Sequence, residues 1–374
     1  MTPINDDIAF AEIQDVHDIV ASFRNNVKTG NPLVLHIDRK EEVLPVLLPI
    51  VETSTFDIAN KPCIYFRNEK GLGMGPIKDF FSKAILEIHD SSALEGPDYE
   101  KNLKKNKRNK KLFEKFGVIC AFSIMHGGPS PAFFNRIFVT ILLKGRDEAL
   151  KLPLTYEDVA DEHSKRELQV VVLADRNVAA INAAMAETQI FETAGTHTQV
   201  TGPQFDVQRD EAVRDALEYH CVDRVIEEVE AFSRGFDKYN LLSFLKCLPA
   251  GGEALFTRNN TVITTKELFL KQYLISTNVK ETKVYGYFLE FLRRVEAKRT
   301  EFTLGDVHKW ITGHDTIPPL GYGTHHPIIL TRETGYVRAR SCFNTLELPE
   351  HVASYQDFEY AVSVNVGEIA FTDV

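Results

Sequence analysis

The sequence predicts an α+β chain in two lobes, a large and mostly helical one followed by a small α/β one. Three observations carry this. Apolar residues recur at helical spacing through most of residues 1–297, above all over 112–143, 209–234 and 284–297. A polar stretch, "RRVEAKRTEFT" (293–303), then interrupts the pattern. Beyond it come turns ("TGHDTIPPLGYG"), β-rich runs ("PIILT", "YVRA", "FNTLEL") and one terminal helix. The spacing therefore places a hinge at 298–303, between a first lobe of 1–297 and a second of 304–374.

Taken in order, residues 8–28 read as a helix with Ile8, Ile13, Val16, Ile19, Val20 and Phe23 on one face. "PLVLHID" (32–38) and "PCIYFR" (62–67) read as strands. The turn "KGLGMGP" (70–76) matches no nucleotide-binding pattern and reads as a tight turn into a helix. That helix buries Ile77, Phe80, Phe81, Ala84, Ile85 and Ile88. The helical stretch 112–143 is broken at "HGGPSP" (126–131), with Ser130 and Pro131 suited to starting the next helix. Further helices are expected over 177–193, 209–234, 241–248, 264–276 and 284–297. The last helix starts after Ser354, with Asp357 three residues on as a capping signal.

Composition narrows the function. Hydrophobic residues make up 44% and charged residues 26% of 374, ordinary values for a globular protein with a sizeable core. No apolar run approaches the roughly 18 residues that cross a bilayer, so no membrane partner is expected. "MTPINDDIAF" lacks a basic region before an apolar stretch, so no secretory signal is expected either. The five cysteines (63, 120, 221, 247, 342) form no CxxC pair. This spacing excludes a zinc ribbon and points to free thiols in the cytoplasm or nucleus, with no metal or cofactor. A net charge of −10 argues against nucleic acid. One run, "KNLKKNKRNKK" (101–111), has the opposite sign. Its first reading is a solvated, mobile linker or helix face, its second a contact for an acidic partner or a localisation signal, and its third a nucleic-acid footprint, ranked last because no aromatic residues are interleaved.

The segment "RARSCFNTLELPEH" (338–351) raises the chemical question, because it carries one cysteine, Cys342, outside the apolar runs. Cys63, Cys120, Cys221 and Cys247 lie among apolar neighbours and read as structural. Around Cys342, Arg338 and Arg340 would favour the thiolate. Three readings stay open: a buried structural thiol, a hydrolytic nucleophile and a transthiolation thiol. A hydrolase needs a histidine base and an orienting partner. His325, His326 and His351 are near only in sequence. A transthiolation cysteine needs no dedicated base, since thiol and thioester exchange at nearly equal free energy.

"RSCFNTLELPEH" resembles the active-site segment of HECT-type ubiquitin ligases. "ITGHDTIPPLGYG" (311–323) resembles the turn that opens their C-lobe, and "GMGPIKDFFSKAI" (73–85) the entry to their N-lobe. "FGVICAFSIMHGGPSPAFFNRIF" (116–138) is similar to their paired N-lobe helices. "IFETAG" (190–195) and "ALEYHCVDRVIEEVEAFSRGF" (216–236) resemble a divergent animal branch, the HECT-like mitotic-phase-specific ligases. The sequence departs from the family pattern where a histidine and a threonine usually precede the cysteine; here they are Arg340 and Ser341.

The resemblance implies a bilobal HECT fold whose C-lobe swings to carry ubiquitin. Cys342 would accept ubiquitin from a conjugating enzyme as a thioester and pass it to a substrate lysine. Asn344 would position the carbonyl and stabilise the oxyanion. Phe343 and Phe371 would bind, the latter anchoring the tail. Asp373 would orient or deprotonate the lysine, or be a terminal charge only. A small subdomain over roughly 150–280 would dock the conjugating enzyme around Phe244, Leu245, Leu248, Leu255 and Phe256, although core packing is the first reading of each. The rivals to a ligase are an inactive HECT-like scaffold and a cysteine hydrolase.

Overall fold

The computed structural model describes residues 15–67, 74–106, 108–248, 251–257, 263–312, 327–332, 336–340 and 344–370, with the side chains of 74–75 and 367–370 left out. The glycine-rich turn before residue 74 and the "HDTIPPLGYG" turn lie outside these residues. Packing divides the chain into two units. The first is Met1–Leu33, Arg39–Pro62 and Phe81–Arg258; the second is Val34–Asp38, Cys63–Phe80 and Asn259–Val374.

The first elements are α1 (Val16–Arg24), β1 (Lys28–Ile37), α2 (Leu44–Ile50), β2 (Asn60–Phe66) and α3 (Met74–His89). Strands β1 and β2 pair with each other. Then come β3 (Leu94–Glu95), β4 (Asn102–Leu103), α4 (Lys111–Met125), α5 (Arg136–Lys144), α6 (Arg146–Ala149), α7 (Glu162–Leu173), α8 (Val178–Ala186) and α9 (Ile190–Ala194). Helices α10 (Phe205–Cys221), α11 (Ile226–Phe236) and α12 (Leu241–Lys246) complete the first unit. The second unit adds α13 (Lys266–Lys271), β5 (Leu274–Ile275), α14 (Thr277–Lys280), α15 (Lys283–Glu296), α16 (Leu304–Thr312), β6 (Ile328–Arg332), β7 (Arg338–Arg340), β8 (Thr345–Pro349) and α17 (Tyr355–Ala370).

Helices α4 and α11 cross at the centre of the first unit. Both are glycine-bearing at the crossing, and the glycines are required. A Cβ on Gly117 would stand 2.2 Å from the carbonyl oxygen of Phe232, and one on Gly235 would stand 1.8 Å from that of Glu114. Only hydrogen fits in those gaps, so the two backbones touch. Around the crossing the rings of Phe134 and Phe138 stack at 3.8 Å, Phe232 meets Phe138 edge-on at 5.4 Å, and Phe236 lies 5.1 Å from Phe256.

Several expectations change here. The helix expected over 209–234 is two, because the chain turns at 223–225 between α10 and α11. Helix α5 starts five residues later than "SPA" predicts: Asn135, not Ser130, caps it by accepting from the Phe138 amide at 2.8 Å. Helix α17 is capped as expected, with the Asp357 amide 3.2 Å from the Ser354 hydroxyl. The basic run is anchored rather than a solvated linker. Asn102 and Leu103 are buried and pair with β3. Beyond them the Asn106 amide donates to buried Glu228 at 2.9 Å, and Lys110 pairs with Glu227. Lys104, Lys105, Arg108 and Lys111 remain exposed.

The division of units also differs from the expected hinge. It falls at 258/259, and 298–303 lies within the second unit. Helix α15 on one side (Val284, Phe288, Phe291, Leu292, Val295) and α16 on the other (Leu304, Val307, Trp310, Ile311) belong to one apolar cluster. The polar texture of 293–303 comes from the exposed end of α15 and a capping turn, in which the Thr303 amide donates to Asp306 at 2.7 Å. The 150–280 span accordingly straddles the division.

The glycine crossing predicts that Gly235→Ala costs about 3 kcal/mol or more in urea unfolding, since the added methyl must push two backbones apart. Gly286→Ala, on α15 with open space around it, should instead gain about 0.5–1 kcal/mol from helix propensity.

Two buried histidines predict an acid limit. His126, 2.7 Å from the Ile58 carbonyl, and His220, 3.3 Å from that of Ile190, are each held down to about 4 by burial, against an ordinary value of 6.5. Below pH 6.5 the unfolded chain takes up protons that the folded one refuses, so stability is complete above pH 7 and falls as the pH drops towards 4. Each histidine should remove about 2 kcal/mol by pH 5. Unfolding midpoints at pH 7.5 and 5.0 measure the loss, and His126→Gln should remove about half of it.

Candidate active site

In the second unit four strands form a sheet in the order β5-β6-β8-β7, with β6 parallel and β7 antiparallel to β8. All five residues of β8 are buried. Side chains alternate along a strand. Leu346 and Leu348 therefore share one face, and both enter the cluster built by α15, α16 and the α17 residues Phe358, Val362 and Val366. Thr345 and Glu347 share the other face.

Asn344 delivers the chain into β8. Its φ of +50° is left-handed, a region where asparagine is among the few side chains at ease. It is 3% exposed, and its carbonyl accepts from the Ile328 amide of β6 at 2.9 Å. On the other side Arg340 of β7 stands opposite Thr345. Cys342 belongs to the connection between these partners. Cys342, Phe343, Phe371 and Asp373 lie outside the described residues, as do His325 and His326. His351 is exposed.

Glu347 is a buried carboxylate with a cation on each side. Arg332 of β6 reaches it with Nη2 at 2.9 Å, and Arg340 of β7 places Nε at 2.9 Å. The Arg340 N–H does not point along that line, so the contact is ionic rather than a hydrogen bond. Both arginines are diagonal partners: Arg332 stands opposite Pro349 and Arg340 opposite Thr345, each two residues from Glu347. A long side chain spans such a diagonal. The sequence conceals this trio, since Glu347 sits in an apolar run and alternation alone turns it towards solvent. The detectable signal is the set of arginines at 332, 338 and 340.

The five proposed docking residues separate. Leu245, Leu255 and Phe256 are buried and are core of the first unit. The Phe256 carbonyl accepts from the Phe134 amide at 2.9 Å. Phe244 and Leu248 are half-buried. The spacing that marks them as apolar is the inward face of α12, where Leu241, Leu242 and Leu245 all point to the core. The remaining cysteines are poor nucleophiles or weakly placed. Burial raises the Cys120 thiol far above its usual range and pushes that of Cys221 up to about 12. Cys63 is half-buried, and Cys247 is exposed with its thiol 3.4 Å from the Ser243 carbonyl.

A family model described as HECT-domain (ubiquitin-transferase) matches residues 77–364. The chain is 28% identical over 284 residues to a G2/M phase-specific E3 ubiquitin-protein ligase of Gallus gallus, covering 75% of this chain and 37% of the relative. The Homo sapiens protein of the same name is 24% identical over 288 residues, covering 76% and 39%. E3 ubiquitin-protein ligase Nedd-4 of Drosophila melanogaster is 22% identical over 352 residues, covering 86% and 33%. The chain thus spans between a third and two fifths of the length of these relatives.

The left-handed backbone at Asn344 predicts a size-independent ranking. Asn344→Gly should hold stability within about 1 kcal/mol, while Asn344→Val should lose about 2 kcal/mol or more. Denaturant curves followed by the fluorescence of buried Trp310, the one tryptophan of the chain, report the second unit directly.

Proposed function

The chain belongs to the HECT-domain (ubiquitin-transferase) family, and from that premise we propose that it is a ubiquitin–protein ligase working through a thioester on Cys342. The observation that carries this reading is the family match over 77–364, which contains the Cys342-Phe343-Asn344 segment and the β8 strand that follows it. Its partners are ubiquitin, a ubiquitin-conjugating enzyme and a protein substrate, in the cytoplasm or nucleus.

In this reading the Cys342 thiolate attacks the thioester carbonyl carbon that joins ubiquitin to the conjugating enzyme. A tetrahedral oxyanion forms and collapses, and the conjugating enzyme's sulfur leaves as thiolate. Ubiquitin is now held on Cys342. A substrate lysine amine attacks the same carbonyl, loses its proton, and expels the Cys342 thiolate as the isopeptide bond forms. No base is needed in the first step, because a thiol with a pKa near 8.5 is already a few per cent ionised at pH 7. Asn344 contributes by fixing the backbone where the chain enters β8. Asp373 and Phe371 serve the lysine and the tail, respectively. Docking of the conjugating enzyme falls to the first unit, with Phe244 and Leu248 as the half-exposed members of the set.

Incubation with activating enzyme, a panel of conjugating enzymes and ubiquitin tests the proposal. The wild-type chain should form a thiol-sensitive ubiquitin adduct, Cys342→Ala none, and Cys342→Ser a thiol-resistant oxyester. Loss of Cys342 should change stability by less than about 1 kcal/mol. A wild-type chain that never charges is a scaffold. One that cleaves ubiquitin chains without the cascade is a hydrolase.

A further inference from the structure

The basic run 101–111 has a fixed backbone and unmatched charges. Asn102 and Leu103 are buried and pair with β3, and the Asn106 amide donates to buried Glu228 at 2.9 Å. The Asn106 side-chain oxygen accepts from the amides of Arg108 at 3.1 Å and Asn109 at 3.0 Å. From this frame Lys104, Lys105, Arg108 and Lys111 project into solvent, and no carboxylate pairs with any of them among the described residues. The acids around them are matched elsewhere: Glu95 with Arg224, Asp223 with Arg146 at 2.6 Å, Glu227 with Lys110, and Glu52 with Lys115 at 2.7 Å. Lys105 is held further, its Nζ 5.8 Å from the centre of the Tyr219 ring. Beside it a cavity of about 470 Å³ opens against the start of α11, with Arg146, Arg224 and Ile226 on its wall together with the already paired Asp223 and Glu227. Four like charges thus crowd one anchored segment of a chain whose net charge is −10. Their mutual repulsion opposes folding, and neither the core nor the transfer chemistry uses them.

We propose that Lys104, Lys105, Arg108 and Lys111 form a pre-formed docking surface for an acidic segment of a partner protein, a short run rich in aspartate or glutamate, with one carboxylate entering the cavity beside Lys105. The chemistry selects this occupant. A nucleic acid strand is held by cations together with aromatic rings that stack its bases, and no aromatic residue is interleaved in the run. A long polyanion would also run past the patch onto a chain that is otherwise acidic. An anionic membrane calls for apolar side chains to insert, and the one apolar residue of the run, Leu103, is fully buried. A short acidic peptide asks only for a few cations at fixed spacing. The frame around Asn106 sets that spacing before binding, so less freedom is lost when the partner docks. The surface stands apart from Cys342 and does not depend on the ligase reading.

Fluorescence anisotropy of a labelled peptide of alternating glutamate and glycine, with its glutamine–glycine analogue as control, tests this on the full chain. The wild type should bind the glutamate peptide and not the analogue. Affinity should fall by about tenfold or more between 0.1 M and 1 M salt, as the screening length shortens from about 10 Å to about 3 Å. The combined variant Lys104→Gln, Lys105→Gln, Arg108→Gln, Lys111→Gln should bind about tenfold more weakly at 0.1 M salt. Removing four exposed cations elsewhere, with Lys61→Gln, Arg176→Gln, Lys271→Gln and Lys280→Gln, lowers the net charge equally and should change affinity by less than about twofold. Asn106→Ala keeps every charge but frees the Arg108 and Asn109 amides, and should weaken binding by about threefold. Equal losses in the two quadruple variants would reduce the effect to net charge and overturn the proposal, as would a salt-insensitive affinity or a wild-type chain that does not bind. Wild-type affinity in Asn106→Ala would remove the fixed frame from it. Binding of a short DNA duplex or of phosphatidylserine vesicles as tight as that of the glutamate peptide would give the surface to another polyanion and overturn the assignment to a protein segment.

Discussion

Strand β8 has a neighbour on each edge and cover on both faces, and the second unit is arranged around the demands of such a strand. Each backbone amide and carbonyl must be met by β6 or β7, which fixes the register of both. Leu346 and Leu348 require an apolar lid, which α15, α16 and α17 supply from three separate stretches of chain. Glu347 requires cations within reach of a buried carboxylate, and arginines on both flanking strands provide them. Burying that carboxylate unpaired would cost several kcal/mol. Asn344 follows from the same constraint. The chain arrives from β7 and must reverse into the middle of a sheet, and a left-handed residue makes that turn in little space.

The first unit meets a different constraint. Its central contact is between two helix backbones, and the phenylalanines arrange themselves around a crossing too close for any side chain. Close crossing brings Glu228 of α11, one turn before Phe232, near the segment that precedes α4. There its carboxylate accepts the Asn106 amide, and Asn106 in turn accepts from the amides of Arg108 and Asn109. A run of lysines that repel one another is thus held by one buried carboxylate and one asparagine, besides the β3 pairing of Asn102 and Leu103 and the Lys110–Glu227 ion pair.

These two examples show what the sequence could and could not reveal. Helices with a clear apolar face, such as α3 and α15, are legible because period alone defines them, whereas α4 is buried all round from Phe116 to Met125 and is legible as a long apolar run. Strands β6, β7 and β8 are legible as runs, but their order is not, since β8 lies between the other two and pairs in parallel with the earlier one. The difference between the expected boundary and the packing division has the same origin. Composition sees the exposed surface of 293–303, whereas the unit is defined by apolar residues on its two sides meeting in three dimensions. The basic run misled similarly, because its anchors, Leu103 and Glu228, are single residues far apart in sequence. At the candidate site Cys342 stood out through a local pattern. Glu347 did not, because its partners come from two other strands.

An arginine, Arg340, two residues before the cysteine bears on which chemistry this segment can perform. A histidine near its ordinary value is part acid and part base at neutral pH, so it can take a proton from a thiol or return one to a leaving group. An arginine does neither, since its guanidinium is always charged. A cysteine hydrolase would have to draw its base from elsewhere, because the residue two before the thiol cannot provide one. Transthiolation makes no such demand. It asks for a thiolate fraction, a stable environment for one transient oxyanion, and a leaving thiolate as good as the incoming one. Arg340, on the edge strand β7, carries a permanent charge that is compatible with those needs and supplies no base for a hydrolytic reaction.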